Sequence, residues 1–114
     1  MTLLIYLTLC FQPLETKTVN QIADGIKKVE GSLRVPYGIE TIPLKGKTKK
    51  AKEVYARKIC INSINNNWER YNKAGKSGDF LVFMNRRYCP KNMNWSVNLR
   101  SILMKWNFDF NKTK

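Results

Sequence analysis

The chain has 114 residues, of which 43% are hydrophobic, and its 21 Lys and Arg against 8 Asp and Glu give a formal net charge of +13 at pH 7. This length permits one domain with a modest core, and the composition excludes an intrinsically disordered chain. The absence of histidine excludes a Ser-His-Asp or Cys-His nucleophile and any imidazole metal site, while the charge attracts polyanions such as nucleic acid, anionic lipid or acidic wall polymers.

Residues 1–12, MTLLIYLTLCFQ, are almost all apolar. A transmembrane helix needs about 20 apolar residues, so this run is too short to cross a bilayer and is typical of the apolar part of a secretory leader. A buried N-terminal strand or helix is the alternative. We therefore divide the chain into an apolar leader or N-terminal segment, 1–12, and a single domain, 13–114, and expect a periplasmic or secreted protein.

Four segments of the domain show the spacing of amphipathic helices, with apolar side chains every three or four positions. The predicted helices are residues 14–31, 47–75, 77–88 and 94–106, with Gly31 as a stop and Ser77 as a cap. The tail, 107–114, is expected to be frayed. The intervening stretch 32–47 holds two prolines and two glycines, which favour a loop with at most a short strand. The predicted fold class is mainly α, with a loop-rich or short β insertion after the first helix.

The three cysteines, Cys10, Cys60 and Cys89, have no spacing typical of a metal site. If the leader is removed, Cys60 and Cys89 either form one disulfide or remain two separate half-buried thiols. We expect no metal and no other cofactor.

Glu30 and Glu40 are the two acidic residues that the sequence does not explain as partners of basic residues, as caps or as parts of a polar face or tail. Glu30 ends the first predicted helix, where the helix dipole disfavours a negative charge, and apolar neighbours such as Val29 reduce its solvation. A carboxyl group that keeps its proton is what a general acid needs. An ordinary exposed glutamate at a helix end is the alternative.

The order of the segments IADGIKKVEG, YGIETI and FMNRRYCP resembles the lysozyme-like superfamily, nearest to soluble lytic transglycosylases and goose-type lysozymes, over residues 18–106. In that family a catalytic glutamate ends a helix as Glu-Ser, a Gly-Leu-Met-Gln motif lines the cleft, and an Ala-Tyr-Asn motif puts a tyrosine near the glutamate. The corresponding segments here are Glu30-Gly31-Ser32, Tyr37-Gly38-Ile39 and Arg87-Tyr88-Cys89. Glu40 and Thr41 replace the Met and Gln of the second motif. The segment 64–90 also resembles small phage and bacterial proteins of this type.

This resemblance implies a small lysozyme-like helical domain that cleaves the MurNAc–GlcNAc linkage of peptidoglycan, with Glu30 as general acid and base. The implied substrate-binding residues are Tyr37, Gly38, Ile39, Glu40, Arg87 and Tyr88. Glu40 either orients water for hydrolysis or points outward, so hydrolysis and transglycosylation both stay open. The implied partners are glycan strands, and the cationic run 45–52 is either a solvated helix start or a segment that attracts anionic wall polymers. A monomer, bacterial or phage-encoded, is expected.

Two other classes of protein remain open. An inactive lysozyme-like structural protein of a phage or envelope is one, because the glutamine of the second family motif is missing. A basic nucleic-acid-binding module is the other, because it needs the same positive charge. The sequence shows no clear helix-turn-helix spacing, and its basic residues are spread along the chain.

Overall fold

A computed structural model describes residues 12–31, 36–39, 43 and 45–114. These residues form four α-helices, α1 (Thr16–Glu30), α2 (Lys49–Lys73), α3 (Phe80–Tyr88) and α4 (Asn94–Lys105), and two short 3-10 turns, Pro36–Gly38 and Phe110–Thr113. The prediction of a mainly α fold is confirmed, and each helix lies within its predicted range. The predicted leader lies outside the described residues, apart from Gln12. No helix in the described ranges is long and apolar enough to cross a membrane.

Side chains and glycines near the helix ends set the helix boundaries. Gly31 adopts the left-handed conformation, with φ of 57°, and ends α1 by donating its N–H to the carbonyl of Lys27. The Thr48 hydroxyl accepts the N–H of Ala51 at the start of α2. The cap of α3 is Asp79 and not the predicted Ser77. Its carboxylate accepts the N–H groups of both Leu81 and Val82, so the helix begins later than the sequence pattern predicted.

The four helices bury one apolar core. Its fully buried members include Ile22 and Ile26 of α1, Cys60 and Ile64 of α2, Phe80 and Met84 of α3, and Leu99 and Leu103 of α4. Gly25 lets α1 approach α4 closely, since a Cβ atom there would lie 2.7 Å from Cδ1 of Leu99. The end of α1 is thereby brought beside α4, which matters for the site described below.

The tail is ordered, so the prediction of a frayed segment was wrong. Phe108 is 6% exposed and packs edge-on against Phe110, with ring centroids 5.0 Å apart. Lys112 forms an ion pair of 3.0 Å with Glu15. A buried aromatic ring anchors the residues that follow it. The tail is therefore ordered although its sequence lacks the apolar spacing of a helix.

Ion pairs account for most of the other acidic residues. Glu53 pairs with Lys27 and Asp24 pairs with Arg57, and both pairs join α1 to α2. Such partly exposed pairs contribute about 0–1 kcal/mol each and act mainly to fix how the helices face each other.

Candidate functional site

Glu30 is the last residue of α1 and is half-buried. Its Oε1 accepts a hydrogen bond from the indole N–H of Trp95, at 3.0 Å. Trp95 lies in the first turn of α4 and is 2% exposed, so this donor is fixed by the core. Within the described ranges no Lys or Arg pairs with Glu30, unlike the acids that join the helices. The carboxyl group is therefore oriented by a neutral donor.

The turn Pro36–Gly38 packs directly against this carboxyl group. A Cβ atom on Gly38 would lie 2.6 Å from Cδ of Glu30, closer than any real Cβ atom approaches a neighbour. Gly38 also has a φ of +69°, in the region that favours glycine. This position therefore requires glycine for two independent reasons, its backbone conformation and the space that Glu30 occupies.

Two side chains hold the turn in place through Tyr37. The Tyr88 hydroxyl donates to the Tyr37 carbonyl at 2.6 Å, and Arg57 donates to the Tyr37 hydroxyl at 3.1 Å. Tyr37 has a φ of 58°, which costs a non-glycine residue about 1–2 kcal/mol. Such strain persists only where the surroundings over-determine it, and it is typical of functional sites. Tyr37 thus fixes the position of the next residue, Gly38, against Glu30.

Arg57 links this turn to the helices. Besides Tyr37, its guanidinium donates to the carboxylate of Asp24 and the side-chain oxygen of Asn20, both at 2.8 Å. Burial lowers the pKa of Arg57, but the hydrogen bonds to Tyr37 and Asp24 outweigh it, so its pKa lies above the ordinary value. Arg57 is therefore a charged donor that joins the turn to α1 through these three partners.

Tyr88 completes the surroundings of Glu30. Its ring stacks on Trp95 at a centroid distance of 5.0 Å and an interplanar angle of 21°. Burial raises the pKa of Tyr88 well above its usual range, and the neighbouring Cys60 acts in the same direction. The hydroxyl therefore remains a hydrogen-bond donor under ordinary conditions. We call Glu30, Gly38, Tyr88 and Trp95 the Glu30 cluster.

A polar groove of about 620 Å³ adjoins the Glu30 cluster and shares two residues with it. Its lining residues are Gly38, Ile39, Ile59, Cys60, Asn62, Ser63, Asn66, Arg70, Arg87 and Tyr88. The α2 members recur every three or four positions, so they lie on one face of that helix. We call this feature the α2 groove. Its volume lies within the range of about 300–1,000 Å³ typical of ligand sites.

The structure brings most of the predicted site residues to one place. Gly38, Ile39, Arg87 and Tyr88 line the α2 groove. The side chain of Tyr37 is 2% exposed and lies within the core, so its contribution to the site is its backbone. Glu40 lies outside the described residues. The catalytic and substrate-binding roles of these residues stay predictions.

Sequence reasoning did not find three parts of the site. No local pattern links Trp95 to a carboxylate 65 positions away. Arg57 has no sequence signal of its contact with Tyr37. The polar face of α2 was detectable, since Asn62, Asn66 and Arg70 recur at four-residue intervals.

The two described cysteines are free thiols. Cys60 is buried beneath the α2 groove, and burial raises its pKa to about 11. A thiol attacks as its thiolate, so Cys60 is not a nucleophile near neutral pH. Of the chemical groups in the Glu30 cluster, the carboxyl of Glu30 is the one suited to proton transfer.

The described fold and the site together define a small, mainly helical domain in which a half-buried carboxyl group at a helix end adjoins a polar groove. No family model, no curated protein and no solved structure matches this chain.

Replacing Tyr88 with Phe is expected to lower the free energy of unfolding by about 1–3 kcal/mol, because the carbonyl of the buried Tyr37 loses its donor. Urea denaturation measures this. The matched control is Tyr55→Phe on α2. Its half-exposed ring faces the ammonium of Lys45 at 5.9 Å, an interaction that phenylalanine retains. A change within about 0.5 kcal/mol is expected there. If the two variants lose the same free energy of unfolding, the hydrogen bond from Tyr88 to the Tyr37 carbonyl does not stabilise the fold.

Proposed function

We propose that this protein is a peptidoglycan-cleaving glycosidase, of the lytic transglycosylase or lysozyme type, in which Glu30 is the general acid and base. The observation that carries this proposal is the position of Glu30. Its half-buried carboxyl group ends α1, accepts one neutral hydrogen bond from Trp95, and contacts Gly38 in the wall of the α2 groove. The proposal needs this carboxyl group to give its proton to the glycosidic oxygen, as a general acid does.

The geometry suggests which oxygen of Glu30 would act. Trp95 donates to Oε1, and no described residue forms a hydrogen bond with Oε2, so Oε2 is the oxygen proposed to carry the proton. In the first step that proton passes to the glycosidic oxygen as its bond to C1 breaks, and the leaving sugar departs as an alcohol. In the second step the Glu30 carboxylate takes a proton from the attacking hydroxyl, whose oxygen bonds to C1. Glu30 ends the cycle protonated, as it began.

The attacking hydroxyl decides the product. If it belongs to water, the reaction is hydrolysis and leaves a reducing end. If it is the sugar's own 6-hydroxyl, the product is an anhydro sugar, and the reaction is that of a lytic transglycosylase. The two reactions share the Glu30 chemistry and differ in whether a second group orients water, a role for which Glu40 is the candidate.

The α2 groove supports a glycan as the ligand. Its amide and hydroxyl groups, from Asn62, Ser63 and Asn66, offer both donors and acceptors, as sugar hydroxyl and acetamido groups require. The resemblance to lysozyme-like enzymes adds support, because Glu30, Gly38 and Tyr88 come from its three separate motifs and are neighbours in the structure. The proposed partners are peptidoglycan strands and anionic wall polymers, met in the periplasm or outside the cell.

The test is to incubate the purified protein with purified peptidoglycan and to analyse the soluble products by mass spectrometry. The expected result is falling turbidity with release of muropeptides. Anhydro ends would identify a transglycosylase, and reducing ends a hydrolase. Absence of muropeptides would reject the glycosidase. If the protein instead bound DNA tightly and with strong salt dependence, the nucleic-acid-binding class would replace it.

A further inference from the structure

We propose that Arg70 and Arg87 form an anion-binding subsite in the α2 groove, which selects glycans that carry carboxylate groups over neutral glycans. This inference rests on the proposed function for its ligand class, since it names the part of the substrate that the groove recognises. Both guanidinium groups line the groove, and the other described residues of its lining are neutral. A ligand held there would meet two positive charges and no negative one from the described part of the groove wall.

The two arginines are available for a ligand. Arg57 and Arg100 each pair with a carboxylate, whereas neither Arg70 nor Arg87 does so in the part of the chain that is described. Each guanidinium presents five N–H donors in a planar fork that matches a carboxylate. They come from different helices, α2 and α3, so the fold brings them to one groove from positions 17 residues apart.

The position of Arg70 keeps it away from Glu30. Cys60, beside Tyr88, lies ten residues earlier on the same helix face, a distance of about 15 Å at the helical rise of 1.5 Å per residue. An arginine within about 4–6 Å of Glu30 would favour its ionised form and oppose its use as an acid. A cation at the far end of the groove attracts the substrate without this effect. Arg70 is therefore expected to bind a substituent of the glycan and to leave the scissile bond to Glu30.

The lining of the groove favours an acidic glycan over nucleic acid. Single strands bind where successive bases stack on exposed aromatic side chains. Among the described residues of the groove lining, Tyr88 is the one aromatic residue, and its ring already stacks on Trp95. Carboxylates of the lactyl group or of peptide stems fit the amide-rich and cationic lining better.

The test measures binding and uses the full chain with Glu30→Gln, so that no ligand is consumed. Calorimetry compares a soluble peptidoglycan oligomer that carries peptide stems with an N-acetylglucosamine oligomer of equal length, which has no carboxylate. Arg70→Gln and Arg87→Gln are each expected to weaken binding of the acidic oligomer about tenfold, the loss of one charge-assisted contact, and to leave the neutral oligomer unaffected. The matched control is Arg86→Gln. Arg86 is an exposed neighbour on α3 that does not line the groove, and no effect is expected there.

The outcomes separate this proposal from the glycosidase itself. If the acidic oligomer binds through both arginines and the wild-type chain releases no muropeptides, the subsite stands and the glycosidase fails. If muropeptides are released but the arginine variants bind and cleave as the wild type does, the subsite fails and the glycosidase stands. Equal weakening for the acidic and neutral oligomers, binding of neither, or tighter binding of an oligonucleotide through the same arginines would each overturn the subsite.

Discussion

Replacing Glu30 with Gln is expected to lower the rate of peptidoglycan cleavage by about 10²–10⁴-fold, the usual contribution of a general acid and base. Glutamine has nearly the same shape, and its side-chain oxygen can still accept the indole N–H of Trp95. It cannot transfer a proton to the glycosidic oxygen. The fold should therefore persist while the chemistry stops. The measurement is the initial rate of muropeptide release, with circular dichroism and urea denaturation to verify the fold.

The matched control for Glu30→Gln is Glu69→Gln. Glu69 is an exposed carboxylate on α2 that pairs with Lys73 at 3.1 Å, one helical turn away. Both substitutions replace a glutamate carboxyl group of a helix with an amide, so Glu69→Gln controls for effects of this exchange that are unrelated to catalysis. We expect the rate of Glu69→Gln to stay close to that of the wild type. If the two variants retain the same rate, Glu30 is not the catalytic acid.

Replacing Gly38 with Ala is expected to lower the free energy of unfolding by about 2–4 kcal/mol, from the cost of a left-handed alanine and the cost of overpacking. The new methyl group would lie 2.6 Å from Cδ of Glu30, so the carboxyl group or the turn must move. A displacement of about 1 Å can cost a hundredfold in rate. Cleavage should therefore fall about as far as in Glu30→Gln, and urea denaturation should show the loss of stability.

Gly75→Ala is the control that separates these two costs. Gly75 has a φ of +80°, and a Cβ atom there would meet nothing within 4 Å. It carries the backbone penalty alone, so a loss of about 1 kcal/mol and a wild-type rate of cleavage are expected. If Gly38→Ala and Gly75→Ala lose the same stability, the close contact between Gly38 and Glu30 is not part of the folded state.

The helices were predictable from the sequence because their apolar side chains recur with helical spacing over many residues. Local patterns predict the first and last residues of a helix less accurately. Asp79 caps α3 because an ionised carboxylate accepts two N–H groups, which a pattern of apolar residues does not reveal. Trp106 continues the apolar spacing of α4 in the sequence, yet it follows the last helical residue, Lys105, and is 47% exposed.

The candidate site was predictable in part. A glutamate at a helix end, a Tyr-Gly turn and a later tyrosine are visible in the sequence, and they are neighbours in the structure. The contact of Glu30 with Trp95 and that of Arg57 with Tyr37 were not predictable. Each joins residues distant in the chain through packing of whole helices, and neither leaves a local signal. The polar face of α2 was visible, but its role as one wall of a groove depends on the position of α3.

The hydrogen bond between the Trp95 indole and the Glu30 carboxyl group also makes Trp95 an intrinsic fluorescent probe of this position. The emission of a tryptophan depends on the electric field along its ring, and here a carboxyl group accepts a hydrogen bond from the ring nitrogen. Gain or loss of one proton, or arrival of a ligand beside Tyr88, would change that field. In a chain whose other tryptophans, Trp68 and Trp106, are replaced with Phe, ultraviolet fluorescence can therefore report changes at this position in real time.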